Sequence, residues 1–199
     1  AMRLILNNED NIYLWISLGL LLSIAFLSKY QAYLFGIMLL VAFIIWKRNA
    51  LFTKSFYICL LISTFGLIPV FLWNIENNFD SFNFHGNRSS FGFDIIHIIN
   101  SIFAQLFLLL PTTGFLIITS LMKNKKFITV NEKFLILLSL PTIIIFNILI
   151  LFSENSFSHW SMVGWMLLIP IASNHLLEMK SFKVHLIILK VASVFASII

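Results

Sequence analysis

The sequence predicts an all-α protein, a polytopic transmembrane helix bundle of about seven spans whose last span is incomplete. Of its 199 residues, 60% are hydrophobic and only 11% are charged, whereas a soluble domain is roughly half apolar and a quarter charged. The mean hydropathy is +0.98, and apolar runs of span length recur along the chain. We therefore expect residues 1–199 to form a single transmembrane domain that is a fragment of a longer one.

The apolar runs set the predicted helices in order. Residues 12–46 are too many for one span of about 20 residues, so a break at Ser28–Gln31 divides them into spans at 12–27 and 32–46. Further spans are expected at 55–73, 101–122, 134–152 and 161–177. Before the fourth of these seven, residues 95–99 are typical of an amphipathic helix along the membrane interface. The last run begins at Val184 and reaches Ile199 without a polar flank.

The lysine and arginine residues predict the orientation of these spans. Nine of them follow the second, fourth and sixth spans: Lys47, Arg48, Lys54, Lys123, Lys125, Lys126, Lys133, Lys180 and Lys183. The opposite loops contain only Lys29 and Arg88. Because basic loops stay on the cytoplasmic side, we expect Lys29 in a tight turn at the outer surface.

The two outer cations and nearby polar residues form the predicted site. Arginine binds phosphate bidentately and lysine binds it as a point charge, so Lys29 and Arg88 suit an anionic, membrane-embedded ligand. Aromatic, amide and imidazole side chains on the same side suit sugar rings and hydroxyl groups: Tyr30, Asn74, His85, His159 and Trp160. Each also has an ordinary interpretation, as a turn residue, a solvated loop residue or, for His159-Trp160, an interfacial anchor.

Other chemistries lack their sequence signatures. The chain has no Walker loop, dinucleotide glycine fingerprint, HExxH helix or G-x-S-x-G elbow. The five histidines have no metal-ligand spacing, and a lone Cys59 excludes an intrachain disulfide or a cysteine cluster. The basic residues are dispersed between apolar runs, so nucleic acid is not an expected partner. No metal or cofactor site is predicted in this chain.

Three blocks between residues 19 and 172 resemble a known family. The blocks read "GLLLSIAFLSKYQAYLFGIMLLVAFIIWKR", "PVFLWNIENNFDSFNFHGNR" and "SFSHWSMVGWMLLIPIA". They are similar, in this order, to segments of the bacterial dolichyl-phosphate-mannose–protein mannosyltransferase-like enzymes, relatives of glycosyltransferase family 39 in the C superfamily. The chain departs from the family pattern at Ser23, Gln31, Phe79, His85, Ser161 and Met162.

The resemblance implies an integral-membrane glycosyltransferase of the bacterial cytoplasmic membrane. Such enzymes pass a sugar from a polyprenyl-phosphate carrier to an acceptor glycolipid or protein on the outer, periplasmic face. Their catalytic carboxylates lie in an N-terminal outer loop that is not among these residues, so the catalytic residues are unknown and we expect an inactive fragment. A divalent metal used by complete family members would take its ligands partly from that loop. By position, Lys29 and Arg88 would bind the carrier phosphate.

Two other functions stay open from the sequence. A non-catalytic membrane remnant or interaction subunit would also lack the acidic loop. A small-solute transporter would show an inverted repeat and a substrate site near the bilayer midplane, whereas no repeat is visible here and the charges lie at helix ends. The sequence does not indicate the sugar, the acceptor or the oligomeric state.

Overall fold

The computed structural model describes residues 1–7, 10–29, 31–81, 83, 95–109, 111–122, 128–151, 158–179, 183, 186–188 and 190. Helices dominate these residues and no strand occurs among them, which confirms the all-α prediction. The chain divides into two compact units, Ala1–Arg88 and Ser89–Ile199. That the whole chain is a single transmembrane domain stays a prediction.

Five α-helices of the first unit have both ends among the described residues. They are α1 (Met2–Ile5), α2 (Ile12–Ser28), α3 (Gln31–Trp46), α4 (Lys54–Thr64) and α5 (Leu67–Glu76), with a 3-10 turn at Arg48–Phe52 between α3 and α4. Local capping explains two of the helix starts. The Asn11 side chain accepts a hydrogen bond from the backbone N–H of Tyr13, and the Thr53 hydroxyl accepts one from that of Phe56. The predicted break of the 12–46 run at Lys29 is confirmed.

Close backbone contact holds α2 against α4. A Cβ atom on Gly19 would lie 2.8 Å from the carbonyl oxygen of Cys59, and one on Gly66 would overlap the carbonyl oxygen of Ser23. Small residues at such crossings let membrane helices approach each other. Gly66 lies at the junction of α4 and α5. From Gly19–Cys59 to Ser23–Gly66 the contacts advance in the same direction along both segments, so α2 and α4 run parallel. The Lys29 turn therefore lies at the end of this unit where α5 continues from α4, opposite the turn that follows α3.

Four α-helices of the second unit have both ends among the described residues. They are α6 (Ile95–Leu108), α7 (Pro111–Leu121), α8 (Val130–Leu151) and α9 (Met162–Glu178), and a 3-10 turn at Ser158–Ser161 precedes α9. A capping box begins α8: the Glu132 carboxylate accepts a hydrogen bond from the Thr129 backbone N–H at 2.7 Å, and the Glu132 N–H donates to the Thr129 hydroxyl at 3.2 Å.

The fourth predicted helix differs from the observed ones. A single helix over 101–122 does not form, because α6 ends at Leu108 and α7 begins at Pro111. Proline suits the first turn of a helix, where its missing N–H has no intrahelical acceptor. Residues 95–99 are helical and form the start of α6; their place along the membrane interface stays a prediction. Pro141 and Pro170, by contrast, lie inside α8 and α9.

A glycine again brings two helices together in the second unit. A Cβ atom on Gly164 of α9 would lie 2.6 Å from Cγ1 of Ile143 and 3.0 Å from the carbonyl oxygen of Ser139, both on α8. The buried Ser139 hydroxyl donates a hydrogen bond of 2.8 Å to the carbonyl oxygen of Gly164. Apolar side chains complete this core: Leu109, Leu116, Ile117, Leu168, Ile171, Ala172 and Leu176.

Three helical stretches have the length and composition of a membrane span. They are Lys54–Glu76 with 23 residues, Val130–Ile150 with 21 and His159–Glu178 with 20. Shorter apolar helices cover Ile12–Ser28, Gln31–Trp46 and Thr112–Leu121. Many large apolar side chains on these helices are exposed, as lipid-facing surfaces require. The predicted seventh span lies mostly outside the described residues.

Candidate functional site

Lys29 lies in the tight turn between α2 and α3. Its backbone is extended, with φ −155° and ψ 138°; its N–H donates to the Ala25 carbonyl at 3.1 Å, and its own carbonyl accepts from the Ala32 N–H at 3.0 Å. The residue is exposed. Among the described residues, its ammonium has no hydrogen-bond or ion-pair partner. A cation in this position is available to an external anion.

Asn74 lies on α5, at the same end of the first unit as Lys29. It is only 1% exposed, and its side-chain N–H donates to the Val70 carbonyl at 2.8 Å. Its side-chain oxygen is buried without a hydrogen-bond partner among the described residues. The sequence placed Asn74 on an open outer face, whereas the structure buries it. Its contact with a sugar stays a prediction, and the amide oxygen is the atom left to accept a bond.

The chain reverses just after Asn74 through two residues with left-handed backbones. Asn78 has φ 50° and Phe79 has φ 59°, and the Phe79 N–H donates to the Asn74 carbonyl at 2.7 Å. A hydrogen bond between residues five apart is the Schellman pattern that ends a helix. Phe79 is an unusual residue for a left-handed position, which costs roughly 1–2 kcal/mol in an L-residue with a Cβ. The turn fixes where the chain leaves α5.

His159 and Trp160 lie in the 3-10 turn before α9, in the second unit. His159 is exposed and Trp160 is half-buried. The Trp160 ring meets the Phe146 ring of α8 edge-on, with 6.2 Å between centroids and 74° between planes. This contact anchors the turn against α8. Tyr30, His85 and Arg88, the other predicted site residues, lie outside the described residues.

A buried amide network connects three helices of the second unit, and the sequence analysis missed it. Gln105 of α6 is 2% exposed; its side-chain N–H donates to the Asn147 amide oxygen on α8 at 2.9 Å. The Gln105 amide oxygen accepts from the Trp165 indole N–H of α9 at 3.1 Å. The Asn147 side chain also donates to the Ile143 carbonyl at 2.8 Å. One sequence signal points to this network: Gln105 and Asn147 are each the single amide residue within a long apolar run.

Replacing Gln105 by Leu is expected to loosen this unit by about 1–2 kcal/mol, because the Asn147 amide oxygen and the Trp165 N–H lose their partner in an apolar interior. Unfolding in mixed micelles with a denaturing detergent, followed by helix content, measures the change. Thr119→Val is the matched control, since the Thr119 hydroxyl donates only to carbonyls of its own helix, at Phe115 and Leu116. Equal midpoints for the two variants would show that the network contributes no interhelical stability.

No group of three or more His, Cys, Asp or Glu side chains lies together among the described residues. The divalent metal implied by the resemblance stays a prediction. Comparison with family models, with curated proteins and with solved structures finds no match. The resemblance to the mannosyltransferase-like enzymes thus stays a prediction from the residues.

Proposed function

We propose that the chain is part of an integral-membrane glycosyltransferase that moves a sugar from a polyprenyl-phosphate carrier to an acceptor on the outer face of a bacterial cytoplasmic membrane. Lys29 is the observation that carries the proposal. It is exposed, and its ammonium has no partner among the described residues. It stands at the turn between two helices whose sequences contain no other charged residue.

The position of Lys29 suits the phosphate of a lipid carrier. A turn between two membrane helices lies at headgroup level, which is where the phosphate of a membrane-anchored lipid also lies. A lysine ammonium binds phosphate as a point charge. In the proposed reaction, an acceptor oxygen attacks the anomeric carbon, and the bond from that carbon to the phosphate oxygen breaks. The phosphate departs with the electron pair, and a cation beside it stabilises the developing negative charge.

The remaining predicted residues have supporting roles in this proposal. Arg88 would supply a second cation for the phosphate, and Tyr30, Asn74, His85, His159 and Trp160 would contact the sugar or the acceptor. The proton of the acceptor hydroxyl would pass to a carboxylate acting as general base. We assign no residue of this chain to that step, in keeping with a fragment that is inactive without the catalytic loop.

The proposed membrane topology has about seven spans, with the polar site on the periplasmic side. Three helical stretches of span length support it. So does the arrangement of the first unit, in which the Lys29 turn lies opposite the turn with Lys47, Arg48 and Lys54. Lys47 is anchored there, since its ammonium donates to the Leu4 carbonyl of α1 at 2.9 Å. Basic residues concentrated at that end are typical of the cytoplasmic side.

Lys29→Gln should weaken binding of a polyprenyl phosphate about tenfold, the equivalent of roughly 1.4 kcal/mol, and leave binding of the uncharged polyprenol unchanged. The measurement is a titration of the whole chain in lipid nanodiscs, with dissociation constants from native mass spectrometry. Lys54→Gln is the matched control, an exposed lysine at the other end of the unit. Equal affinity of the wild-type chain for phosphate and alcohol, or an equal loss in both variants, would refute the role of Lys29.

A sugar-transfer assay tests the enzyme class itself. The full gene product, incubated with a polyprenyl-phosphate-linked sugar and a membrane acceptor fraction, should release free polyprenyl phosphate at a rate that falls in Lys29→Gln. If the chain binds the polyprenyl phosphate but the full gene product transfers no sugar, the protein is not an enzyme of this class. It would then be the non-catalytic membrane protein that the sequence left open.

A further inference from the structure

The segment between α3 and α4 is closed by backbone hydrogen bonds. The Ala50 N–H donates to the Lys47 carbonyl at 2.9 Å, and the Thr53 N–H donates to the Ala50 carbonyl at 3.1 Å. The Thr53 hydroxyl donates to the same Ala50 carbonyl at 2.8 Å, and Ala50 itself is only 3% exposed. These bonds fix the backbone of the segment, so its exposed side chains start from defined positions.

Arg48, Phe52 and Lys54 are exposed on this segment, and we call them the basic-aromatic turn. Phe52 is 75% exposed. Arg48 and Lys54 are also exposed, and neither has a hydrogen-bond or ion-pair partner among the described residues. Lys47 is different, because its ammonium donates to the Leu4 carbonyl at 2.9 Å. Two cations without protein partners therefore flank one exposed ring in the sequence.

Positive charge outweighs negative charge at this end of the first unit. The acidic side chain that the structure describes here is Asp10, whose carboxylate accepts a hydrogen bond from the Trp15 indole N–H at 2.8 Å. The described basic side chains at the same end are those of Arg3, Lys47, Arg48 and Lys54. An anion that approaches this end is therefore attracted, and the described residues provide no carboxylate that neutralises the basic-aromatic turn.

Exposed tyrosines place the same end at a membrane surface. Tyr13 is the second residue of α2 and is 75% exposed, and Tyr57 lies in the first turn of α4 and is 56% exposed. Because α2 and α4 run parallel, both rings lie at the end that carries the basic-aromatic turn. Exposed aromatic rings at the ends of apolar helices are typical of the membrane–water interface. A soluble anion would use only the two cations, whereas a lipid headgroup also brings acyl carbons to the Phe52 ring.

We propose that the basic-aromatic turn binds the headgroup of an anionic phospholipid. Arg48 and Lys54 contact its phosphate, and Phe52 packs on the first carbons of its acyl chains. Charge selects an anionic lipid over a zwitterionic one, since the ammonium of a zwitterionic headgroup opposes the two protein cations. Such a contact would hold the turn between α3 and α4 at one depth in the membrane. The proposal requires that these helices lie in a membrane, and it does not depend on sugar transfer.

Arg48→Gln/Lys54→Gln tests the electrostatic part of the proposal. The whole chain in a neutral detergent is titrated with phosphatidylglycerol or phosphatidylcholine, and native mass spectrometry gives the dissociation constants. A basic residue near an anionic lipid contributes about fivefold in affinity, so the wild-type chain should prefer phosphatidylglycerol roughly tenfold or more. The double variant should lose this preference. A wild-type chain that binds the two lipids equally would overturn the proposal.

Lys133→Gln is the matched control for Lys54→Gln, which removes one of the two cations. Lys133 is also exposed, but it follows Glu132, whose carboxylate offsets its charge. Lys54→Gln should weaken phosphatidylglycerol binding about fivefold, and Lys133→Gln should not change it. An equal loss in the two variants would overturn the proposal, because the attraction would then come from the net charge of the chain.

Phe52→Ser tests whether the ligand is a lipid. The ring is mostly exposed, so the substitution should leave the unfolding midpoint in detergent unchanged and still weaken binding of both phospholipids. Phe52→Trp should bind them as the wild type does, because an indole ring also packs on acyl carbons at this depth. Unchanged lipid affinity in Phe52→Ser would overturn the proposed lipid contact.

Photolabelling of the wild-type chain locates the site without any substitution. Phosphatidylglycerol with a photoreactive group on its headgroup should label the peptide that contains residues 48–54. Excess phosphatidylglycerol should suppress this labelling, while phosphatidylcholine and soluble glycerol phosphate should not. Labelling confined to other peptides would overturn the proposal. Suppression by glycerol phosphate would also overturn it, since the turn would then bind any phosphate in solution.

The outcomes at the two ends of the first unit are independent. In nanodiscs that contain phosphatidylglycerol, the bulk lipid fills the basic-aromatic turn, so Lys54→Gln remains a control for carrier binding at Lys29. A loss of carrier binding in Lys29→Gln, together with no lipid preference at the turn, would refute this inference and leave the proposed function standing. A lipid preference that depends on Arg48 and Lys54, together with no carrier binding, would have the opposite meaning.

Discussion

Gly66→Ala is expected to destabilise the first unit by about 3 kcal/mol, the upper end of the cost of overpacking a well-packed site. The added Cβ would overlap the carbonyl oxygen of Ser23 and would lie 2.7 Å from its carbonyl carbon and 2.8 Å from its Cα. All three are backbone atoms of α2, so no rotamer change can relieve the contact. Either α2 must move away from α4 or the junction between α4 and α5 must deform.

Gly36→Ala is the matched control for this substitution. Its Cβ would meet only the far edge of the Phe26 ring, at 3.0 and 3.2 Å, and a side chain can turn aside. Replacing glycine by alanine also favours helix by roughly 1 kcal/mol, so comparing the two variants reduces the influence of propensity. Midpoints of unfolding by a denaturing detergent, followed by circular dichroism, should fall much further for Gly66→Ala. Equal midpoints would mean that Gly66 is not in tight contact with the backbone of α2.

Several helix boundaries of the first unit could be predicted from local signals. The polar residues at Ser28–Gln31 interrupt a 35-residue apolar run, and the structure ends α2 at Ser28 and begins α3 at Gln31. Asn11 and Thr53 are typical N-cap residues, and each caps the helix that follows it. These boundaries depend on residues within one turn of the break, so the sequence contains the information.

Two helix breaks were not predicted. One depends on a contact with a residue distant in the sequence, and the other depends on a proline whose local effect varies. The span predicted at 55–73 lies within the span-length stretch Lys54–Glu76. A turn at Phe65-Gly66, where Gly66 meets Ser23 of α2, divides that stretch into α4 and α5. The predicted span at 101–122 divides before Pro111, although a proline inside a membrane helix is often tolerated and does remain helical at Pro141 and Pro170. Apolar periodicity alone does not distinguish these cases.

Of the candidate site, the sequence predicted only the feature that charge alone determines, which is the exposure of Lys29. Lys29 was recognised because a lysine interrupting an apolar run needs a reason, and its exposure in a turn agrees with that expectation. The amide network was not predicted, since it forms where three helices meet. Gln105 and Asn147 are 42 residues apart, and no spacing rule brings them together. Burial of Asn74 was missed for the same reason.

Trp15→Ala should destabilise the first unit by about 3–5 kcal/mol, the usual cost of removing a large buried aromatic side chain. Trp15 is 0% exposed. Its ring stacks on Phe43 with centroids 5.2 Å apart and meets Phe56 edge-on at 6.0 Å. Its indole N–H donates a 2.8 Å hydrogen bond to the Asp10 carboxylate. The substitution would remove all these contacts and leave a cavity at the basic end of α2.

Trp15→Phe separates the two parts of this effect. Phenylalanine keeps an aromatic ring between Phe43 and Phe56 but cannot donate to Asp10, so the expected loss is about 1.5–3 kcal/mol, that of a hydrogen bond to a charged group. Trp73→Ala is the control, because Trp73 belongs to the same unit and is 50% exposed; its midpoint should change little. Equal losses for Trp15→Ala and Trp73→Ala would contradict the packing described here.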